Sequence, residues 1–179
     1  MRHQLSAPVS APGGNRTFAH GLGKLELTKM RSVSIYRRLD VHYVCPSDQT
    51  VDGLWIGNGE VDVVESSDPR VLGDAVLRAL RRSRTGVPHP NQSEWHKQRH
   101  RSLDPIIKTA GLQSWRSFVR EAQLVSVNSD GSGVTVECHR QDSSRPEIFT
   151  PVAERRVKNL QLSADVVGTA IAEQWEGQK

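Results

Sequence analysis

Two histidines four residues apart, His96 and His100, are the first side chains whose spacing suggests chemistry. On a helix this spacing places both imidazoles on one face, an arrangement found in zinc-binding helices. A zinc site needs a third ligand, however, and Lys97 and Arg99 stand between the histidines and would repel a cation. We therefore interpret the segment as a solvated polar loop and predict no metal site and no other cofactor.

The two cysteines, Cys45 and Cys138, are the next candidates, as nucleophiles. Each lies on a predicted strand, with His42 or His139 nearby in the sequence. Adjacent residues of a strand point to opposite faces, so this proximity does not make a Cys–His pair. Both cysteines are interpreted as small core residues. A small enzyme built around Cys45, His42 or His139 stays open as an alternative.

The clearest pattern in the chain is a division of charge. Residues 40–69 contain seven acidic residues and no Lys or Arg, whereas residues 70–120 contain eleven Lys or Arg and three acidic residues. The net charge of the chain is +4, but residues 1–29 alone contribute +3, from four basic residues and one acidic residue. The remainder is nearly neutral, so the basic pI is weak evidence for nucleic-acid binding. Oppositely charged regions favour association with a charged partner.

Each of the two charged regions offers a candidate binding surface. Glu60 and Asp62 alternate with valines and would share the outward face of a strand. We predict that a partner contacts the acidic residues Asp48, Asp52, Glu60, Asp62 and Glu65. The alternative is a nucleic-acid-binding module, in which basic groups bind phosphate and a tryptophan stacks on a base. Its candidates are Arg78, Arg81, Arg82, Arg84, Trp95, Lys97 and Arg99, which are more simply interpreted as a solvated helix face and loop.

The elements that must position these residues begin with strands. Alternating apolar residues predict strands over 33–35 and 39–45, with Pro46 ending the second. Asn58-Gly59 predicts a hairpin that joins residues 54–56 to 61–64. Asp68 and Pro69 then begin a helix that Gly86, Pro88 and Pro90 stop. Residues 85–103 are predicted as a long polar loop, followed by a short helical stretch over 106–110.

The second half of the chain continues the mixture of strands and helices. Ser114 caps a short helix that leads into a strand over 124–127, and a turn over 128–133 leads to a strand over 134–138. A further strand is predicted over 147–150, and Ser163 caps a final helix. The sum is a single α+β domain, a mostly antiparallel sheet with about three to four helices packed against one side.

Length and composition fit this architecture. A chain of 179 residues suits one domain, which we place at residues 30–179. Residues 1–29 are rich in Pro, Gly, Ser and Ala and are predicted to be a disordered or non-native extension, with Met30 as an alternative start. No apolar run approaches the roughly 18 residues of a membrane-spanning helix, and no secretory signal is recognisable. A cytoplasmic location is expected.

Two segments resemble a known family. The predicted helix from Leu72 to Arg84, LGDAVLRALRRSR, and the helix-to-strand passage from Ser114 to Val127, SWRSFVREAQLVSV, are similar to those of bacterial contact-dependent growth inhibition immunity proteins of the CdiI type. The order of strands, helix, polar loop and then Trp115 and Phe118 also matches. The resemblance covers roughly residues 30–150, and its motifs are structural ones.

The resemblance implies an inhibitor and not an enzyme. Proteins of this family bind the toxic C-terminal domain delivered by a neighbouring cell, often a nuclease, and block its active site in the cytoplasm. The expected partner is therefore a cognate toxin domain, without nucleic acid or membrane, and the oligomeric state is left open. The five acidic residues are assigned to toxin contact from their charge, because the family supplies no residue motif for that contact.

Overall fold

A single mostly antiparallel sheet dominates the computed structural model, which describes residues 30–158 and 162–176. The predicted extension over residues 1–29 lies outside the described residues. The strand order is β3-β2-β1-β6-β7-β8, and β4 and β5 also pair with β2. The strands are β1 (Arg31–Arg38), β2 (Val41–Thr50), β3 (Trp55–Gly57), β4 (Asp62–Val64), β5 (Thr85–Val87), β6 (Ala122–Ser129), β7 (Gly133–Gln141) and β8 (Phe149–Lys158).

Four helices complete the described fold, and the predicted α+β class is confirmed. They are α1 (Pro69–Arg82), α2 (Trp95–Thr109), α3 (Trp115–Val119) and α4 (Ala164–Glu176). Three of them begin at the predicted caps, where the side-chain oxygens of Asp68, Ser114 and Ser163 accept backbone N–H groups of the first turn. None of the helices in residues 30–158 and 162–176 is long and apolar enough to cross a membrane.

The predicted hairpin over residues 54–64 is wrong, because β3 and β4 each pair with β2 and not with each other. Strand β2 does not end at Pro46 but continues to Thr50. The Pro46 carbonyl accepts a hydrogen bond from Asn58 N at 3.2 Å, on the side of β2 that faces away from β1. The N–H that proline lacks would point to that same side. Neither β3 nor β4 pairs with β2 at that residue, and the missing N–H therefore breaks no ladder bond.

The predicted loop over residues 85–103 is also wrong. It contains the short strand β5 and the first half of α2, a helix of 15 residues. Ile106 is its only fully buried side chain among the described residues, and Pro105 lies inside it. Residues 95–102, the first half of α2, contain Trp95 as their one apolar residue, so no apolar stripe marked this half as a helix.

Helices lie on both faces of the sheet, which corrects the expectation that they pack against one side. Helices α1 and α4 cover the face that carries Val33, Ile35 and Val44. On the other face, Tyr43 and Cys45 pack with Ile106 of α2 and Phe118 of α3. Strands β1 and β2 carry large apolar residues on both faces, since the cross-strand pair Ile35–Val44 projects from one face and the pair Tyr36–Tyr43 from the other. Both faces therefore need a cover of helices.

The layer formed by α1 and α4 depends on two glycines. A Cβ atom at Gly73 of α1 would lie 1.9 Å from the Ala164 carbonyl oxygen, and one at Gly168 of α4 would lie 1.7 Å from the Pro69 carbonyl oxygen. The two helix backbones therefore touch at their crossing. Glycine inside a helix costs about 1 kcal/mol relative to alanine, and here it permits an approach that no side chain would allow.

We predict that Gly73→Ala and Gly168→Ala each destabilise the fold. The gain in helix propensity, about 1 kcal/mol, is outweighed by overlap with backbone atoms, for which we expect a cost of ~3 kcal/mol or more. Urea denaturation measures the free energy of unfolding. The control Thr169→Ala, at an exposed position of α4, should change it by at most about 0.5 kcal/mol. Equal stability of Gly73→Ala and the control would contradict the close crossing.

Candidate functional site

Most of the predicted acidic residues pair with an arginine or histidine of the same chain, and Asp48 is the most buried of them. Only 3% of Asp48 is exposed. Its carboxylate accepts hydrogen bonds from Arg84 N at 2.9 Å, from Arg84 Nε at 3.0 Å and from an Arg84 Nη at 2.5 Å. The carboxylate thus ties the segment after α1 to β2. The hydrogen bond between the two side chains and, next, the negative charge of Asp48 raise the pKa of Arg84.

Glu60 and Asp62 are brought together by one arginine. Arg82, in the last turn of α1, contacts Glu60 through Nε at 2.8 Å and Asp62 through Nη2 at 2.6 Å. The hydrogen bond to Asp62 is the main cause of the raised pKa of Arg82. Both carboxylates remain partly exposed, Glu60 more than Asp62. The outward strand face therefore carries a bridged cluster with a net charge of −1 and not two uncompensated acids.

The remaining two members of the set lie apart from this cluster. Asp52 contacts His89 Nδ1 at 3.2 Å and is two-thirds exposed. Glu65 is exposed and has no ion-pair partner among residues 30–158 and 162–176. It lines a cleft of about 420 Å³ together with Asp40, Asp68 and Glu176, and Arg37 and His42 line the same cleft. Glu65 is thus the member of the predicted set whose charge is most available to a partner.

The seven basic and aromatic candidates for nucleic-acid binding also include both paired and unpaired residues. Arg82 and Arg84 are occupied by carboxylates of the acidic region, while Arg78 and Arg81 face solvent on α1. Lys97 lines a cleft of about 460 Å³ with Arg84 and Arg101, but that cleft also contains Asp48 and Glu94. Trp95 and Arg99 are not among the residues that line it. The seven candidate residues do not form one continuous basic surface with an aromatic at its centre.

The histidine pair lies on α2, where the sequence predicted a loop. His96 Nε2 and His100 Nε2 are 3.3 Å apart, and Asp104 contacts His100 Nδ1 at 3.0 Å. The described residues contain no group of three or more His, Cys, Asp or Glu side chains placed to hold a metal ion. Two imidazoles linked to each other and to a carboxylate make a hydrogen-bonded chain on an exposed helix face.

The cysteine–histidine alternative does not assemble around Cys45. Burial, with a smaller effect from Asp62, raises the pKa of the Cys45 thiol far above its ordinary value, which suppresses the reactive thiolate. His42 lies on the opposite face, stacked on Trp175 with ring centroids 4.8 Å apart. Burial lowers the pKa of His42, opposed by a hydrogen bond in which Nδ1–H donates to the Val64 carbonyl at 3.3 Å.

A polar network on β6 and β7 was not anticipated from the sequence. Ser126 Oγ donates to Glu137 Oε2 at 3.0 Å and contacts His139 Nε2 at 2.9 Å, and Asn128 Nδ2 donates to the same carboxylate oxygen at 3.0 Å. A hydroxyl has one proton, so Ser126 cannot donate to Glu137 and to His139 at the same time. A nucleophilic relay requires a serine that donates to histidine and a carboxylate on the other ring nitrogen. His139 Nδ1 has no hydrogen-bond partner among the described residues, and burial lowers the His139 pKa.

This network lies on a broad polar area that we call the open face. It is defined by two cross-strand rows, which consist of Ser34, Ser126, Glu137 and Glu154 and of Ser32, Asn128, Thr135 and Arg156, of which Ser32 is buried. It shares a sheet side with the apolar cluster of α2 and α3, which packs at Tyr36, Tyr43 and Phe149. Within β6, alternation places Ser126 and Asn128 on the side opposite Val125 and Val127. Register depends on pairing between strands that are distant in sequence, so the rows themselves were not predictable.

Comparison with known families identifies one match. The family model described as CDI immunity protein (CdiI) matches residues 58–177. That span includes α1 to α4 and strands β4 to β8, and it contains both segments on which the resemblance was based. No curated protein sequence matches the chain significantly.

Solved structures share the fold at low sequence identity. A protein of unknown function from Neisseria meningitidis superimposes with a TM-score of 0.71 and 12% identity, over 84% of this chain and 96% of that one. A chain from the CdiA-CT/CdiI toxin and immunity complex of Yersinia pseudotuberculosis gives a TM-score of 0.68 and 11% identity, over 83% of this chain and 97% of that one. At these identities the superpositions establish the fold alone.

We predict that Asp48→Asn destabilises the protein by ~2 kcal/mol, because it removes a buried charge that accepts three hydrogen bonds from a partly solvated arginine. The matched control is Glu60→Gln, which neutralises an exposed member of the same acidic set. It should cost no more than about 1 kcal/mol, as exposed ion pairs do. Urea denaturation of both variants measures the difference. If both cost the same, Asp48 does not anchor α1.

We also predict that stability falls as the pH drops from about 7 towards 5. The pKa of His42 is lowered in the folded state, so below the unfolded value of about 6.5 the unfolded chain binds the proton first and folding is disfavoured. His42→Phe keeps a ring against Trp175 and should flatten the pH dependence, leaving a smaller component from His139. The exposed-position control His96→Gln should retain the full dependence. Urea denaturation at several pH values measures the free energy of unfolding as a function of pH. Equal pH dependence of wild type and His42→Phe would contradict the prediction.

Proposed function

The chain belongs to the CDI immunity protein family, and on that basis we propose that it binds and neutralises the C-terminal toxin domain of a contact-dependent growth inhibition effector. The observation that carries the proposal is the family match over residues 58–177, about two thirds of the chain. The shared fold with a protein from a toxin and immunity complex adds support. The partner is therefore a protein, the cognate toxin.

We propose that neutralisation proceeds by binding and not by catalysis. Among the described residues, Cys45 is buried with a suppressed thiolate, and His139 Nδ1 lacks the carboxylate partner that a Ser–His nucleophile needs. Steric and electrostatic blockade of the toxin needs neither group. A delivered toxin acts inside the target cell, so the proposed site of action of the immunity protein is the cytoplasm.

We further propose that the toxin is a nuclease. A nuclease needs a basic cleft to hold phosphates, and carboxylates of an inhibitor can occupy that cleft in place of the substrate. Asp52, Glu60, Asp62 and Glu65 supply partly or fully exposed carboxylates for this contact. Asp48 would contribute indirectly, since its buried carboxylate positions Arg84.

The test is co-expression of this chain with the C-terminal domain of the polypeptide encoded immediately upstream. We expect rescue of growth and co-purification of the two proteins. Glu65→Lys should weaken binding at least tenfold in a titration, since it reverses an exposed charge that has no internal cation. The exposed-position control Glu147→Lys should bind as wild type does.

The outcomes separate the parts of the proposal. Failure of both rescue and co-purification by the wild-type chain would end the immunity proposal. Normal affinity of Glu65→Lys would remove that carboxylate from the contact and leave the immunity function in place. An assay of nucleic-acid cleavage by the upstream domain, with and without this chain, decides whether the toxin is a nuclease.

A further inference from the structure

Two glutamates on the open face stand directly opposite each other. Glu137 of β7 and Glu154 of β8 are register partners in an antiparallel pair, so their side chains project from the same side of the sheet. The Cβ atoms of such partners lie about 5 Å apart, and like charges at this distance are destabilising. The acidic set of β2 to β4 shows the contrast, because four of its five members have a cationic or histidine partner.

No internal cation offsets this pair in the described part of the chain. Neither Glu137 nor Glu154 has a basic group within ion-pair distance. Arg156 projects from the same side two residues beyond Glu154, but its guanidinium binds Asp130 at 2.6 Å and also contacts Thr135 and Ser132. That contact, with hydrogen bonds from Ser132, lowers the pKa of Asp130 to about 2. Arg156 is thus held at the turn between β6 and β7.

The hydrogen bonds around Glu137 fix its carboxylate in one orientation. Ser126 and Asn128 both donate to Oε2, which leaves Oε1 without a donor among the described residues. Both donors are short side chains on the neighbouring strand, so the carboxylate is oriented before any partner arrives. Glu154 is exposed on the edge strand β8. One oriented and one exposed carboxylate, with no cation within ion-pair distance in the described part of the chain, are complementary to a basic side chain.

We infer that the open face is a toxin-contact surface on which a lysine or arginine of the toxin domain binds between Glu137 and Glu154. The inference rests on the proposed function and adds the chemistry of the contact. An incoming cation removes the repulsion within the pair and gains two charge-assisted contacts. A flat polar sheet surface suits a folded protein partner, and two carboxylates without further ligands do not enclose a metal ion.

The experiment compares two pairs of neutralised carboxylates in the full chain. The first variant is Glu137→Gln with Glu154→Gln, and the control is Asp74→Asn with Asp165→Asn, which changes the net charge equally on α1 and α4 across the sheet. The probe is the upstream-encoded toxin domain, titrated at low and moderate salt. We expect the first variant to bind at least tenfold more weakly with a smaller salt dependence, and the control to bind within twofold of wild type.

Thermal unfolding supplies a second measurement. Because the substitutions remove a like-charge pair, the Glu137→Gln and Glu154→Gln variant should unfold at the same temperature as wild type or higher. Weaker binding by a protein that is at least as stable would support the inference. Unchanged affinity, or equal losses in both variants, would overturn it while the immunity function stands. Absence of binding by the wild-type chain would overturn the proposed function and the inference together.

Discussion

The backbones of α1 and α4 touch at their crossing, and this contact holds both helices over one face of the sheet. Gly73 and Gly168 let the two helices touch, so both fit over one face of the sheet and bury Val33, Ile35 and Val127. This close layer also fixes the direction in which α1 leaves the sheet edge. The end of α1 then delivers Arg82 and the following Arg84 to the carboxylates of β2 and β4.

The division of charge in the sequence is, in the folded protein, mostly an internal pairing. Arg82 bridges Glu60 and Asp62, Arg84 holds Asp48, and His89 contacts Asp52. Exposed pairs of this kind contribute little to stability, whereas the Asp48 contact is buried and anchors an element. Glu65, Glu137 and Glu154 are among the described carboxylates that have no internal cation, and the last two lie on β7 and β8, where the sequence showed no excess of acidic residues. Charge that is available to a partner is therefore a property of contacts and not of composition.

Sequence reasoning succeeded where a local signal had one structural meaning. Asp68 with Pro69 began α1, Ser114 and Ser163 began α3 and α4, and alternation identified β1, β6 and β7. It failed for elements that are stabilised by contacts with residues distant in the sequence. Helix α2 forms although only Ile106 is fully buried. Strand β3 pairs with β2 beyond Pro46, and β4 pairs with it before that residue. Such pairings join residues distant in sequence, which no local pattern records.

By itself the sequence determined the α+β class, the caps, the core faces of the main strands and the resemblance to an immunity family, because propensity and periodicity act within about ten residues. Only the tertiary structure decided which charges compensate each other and which do not. Ser126, Glu137 and Glu154 become one row through the register of three strands, and Glu60 meets Arg82 through the path of α1. Register and helix crossing are set by packing over the whole sheet, so the surface that a toxin would meet follows from the fold.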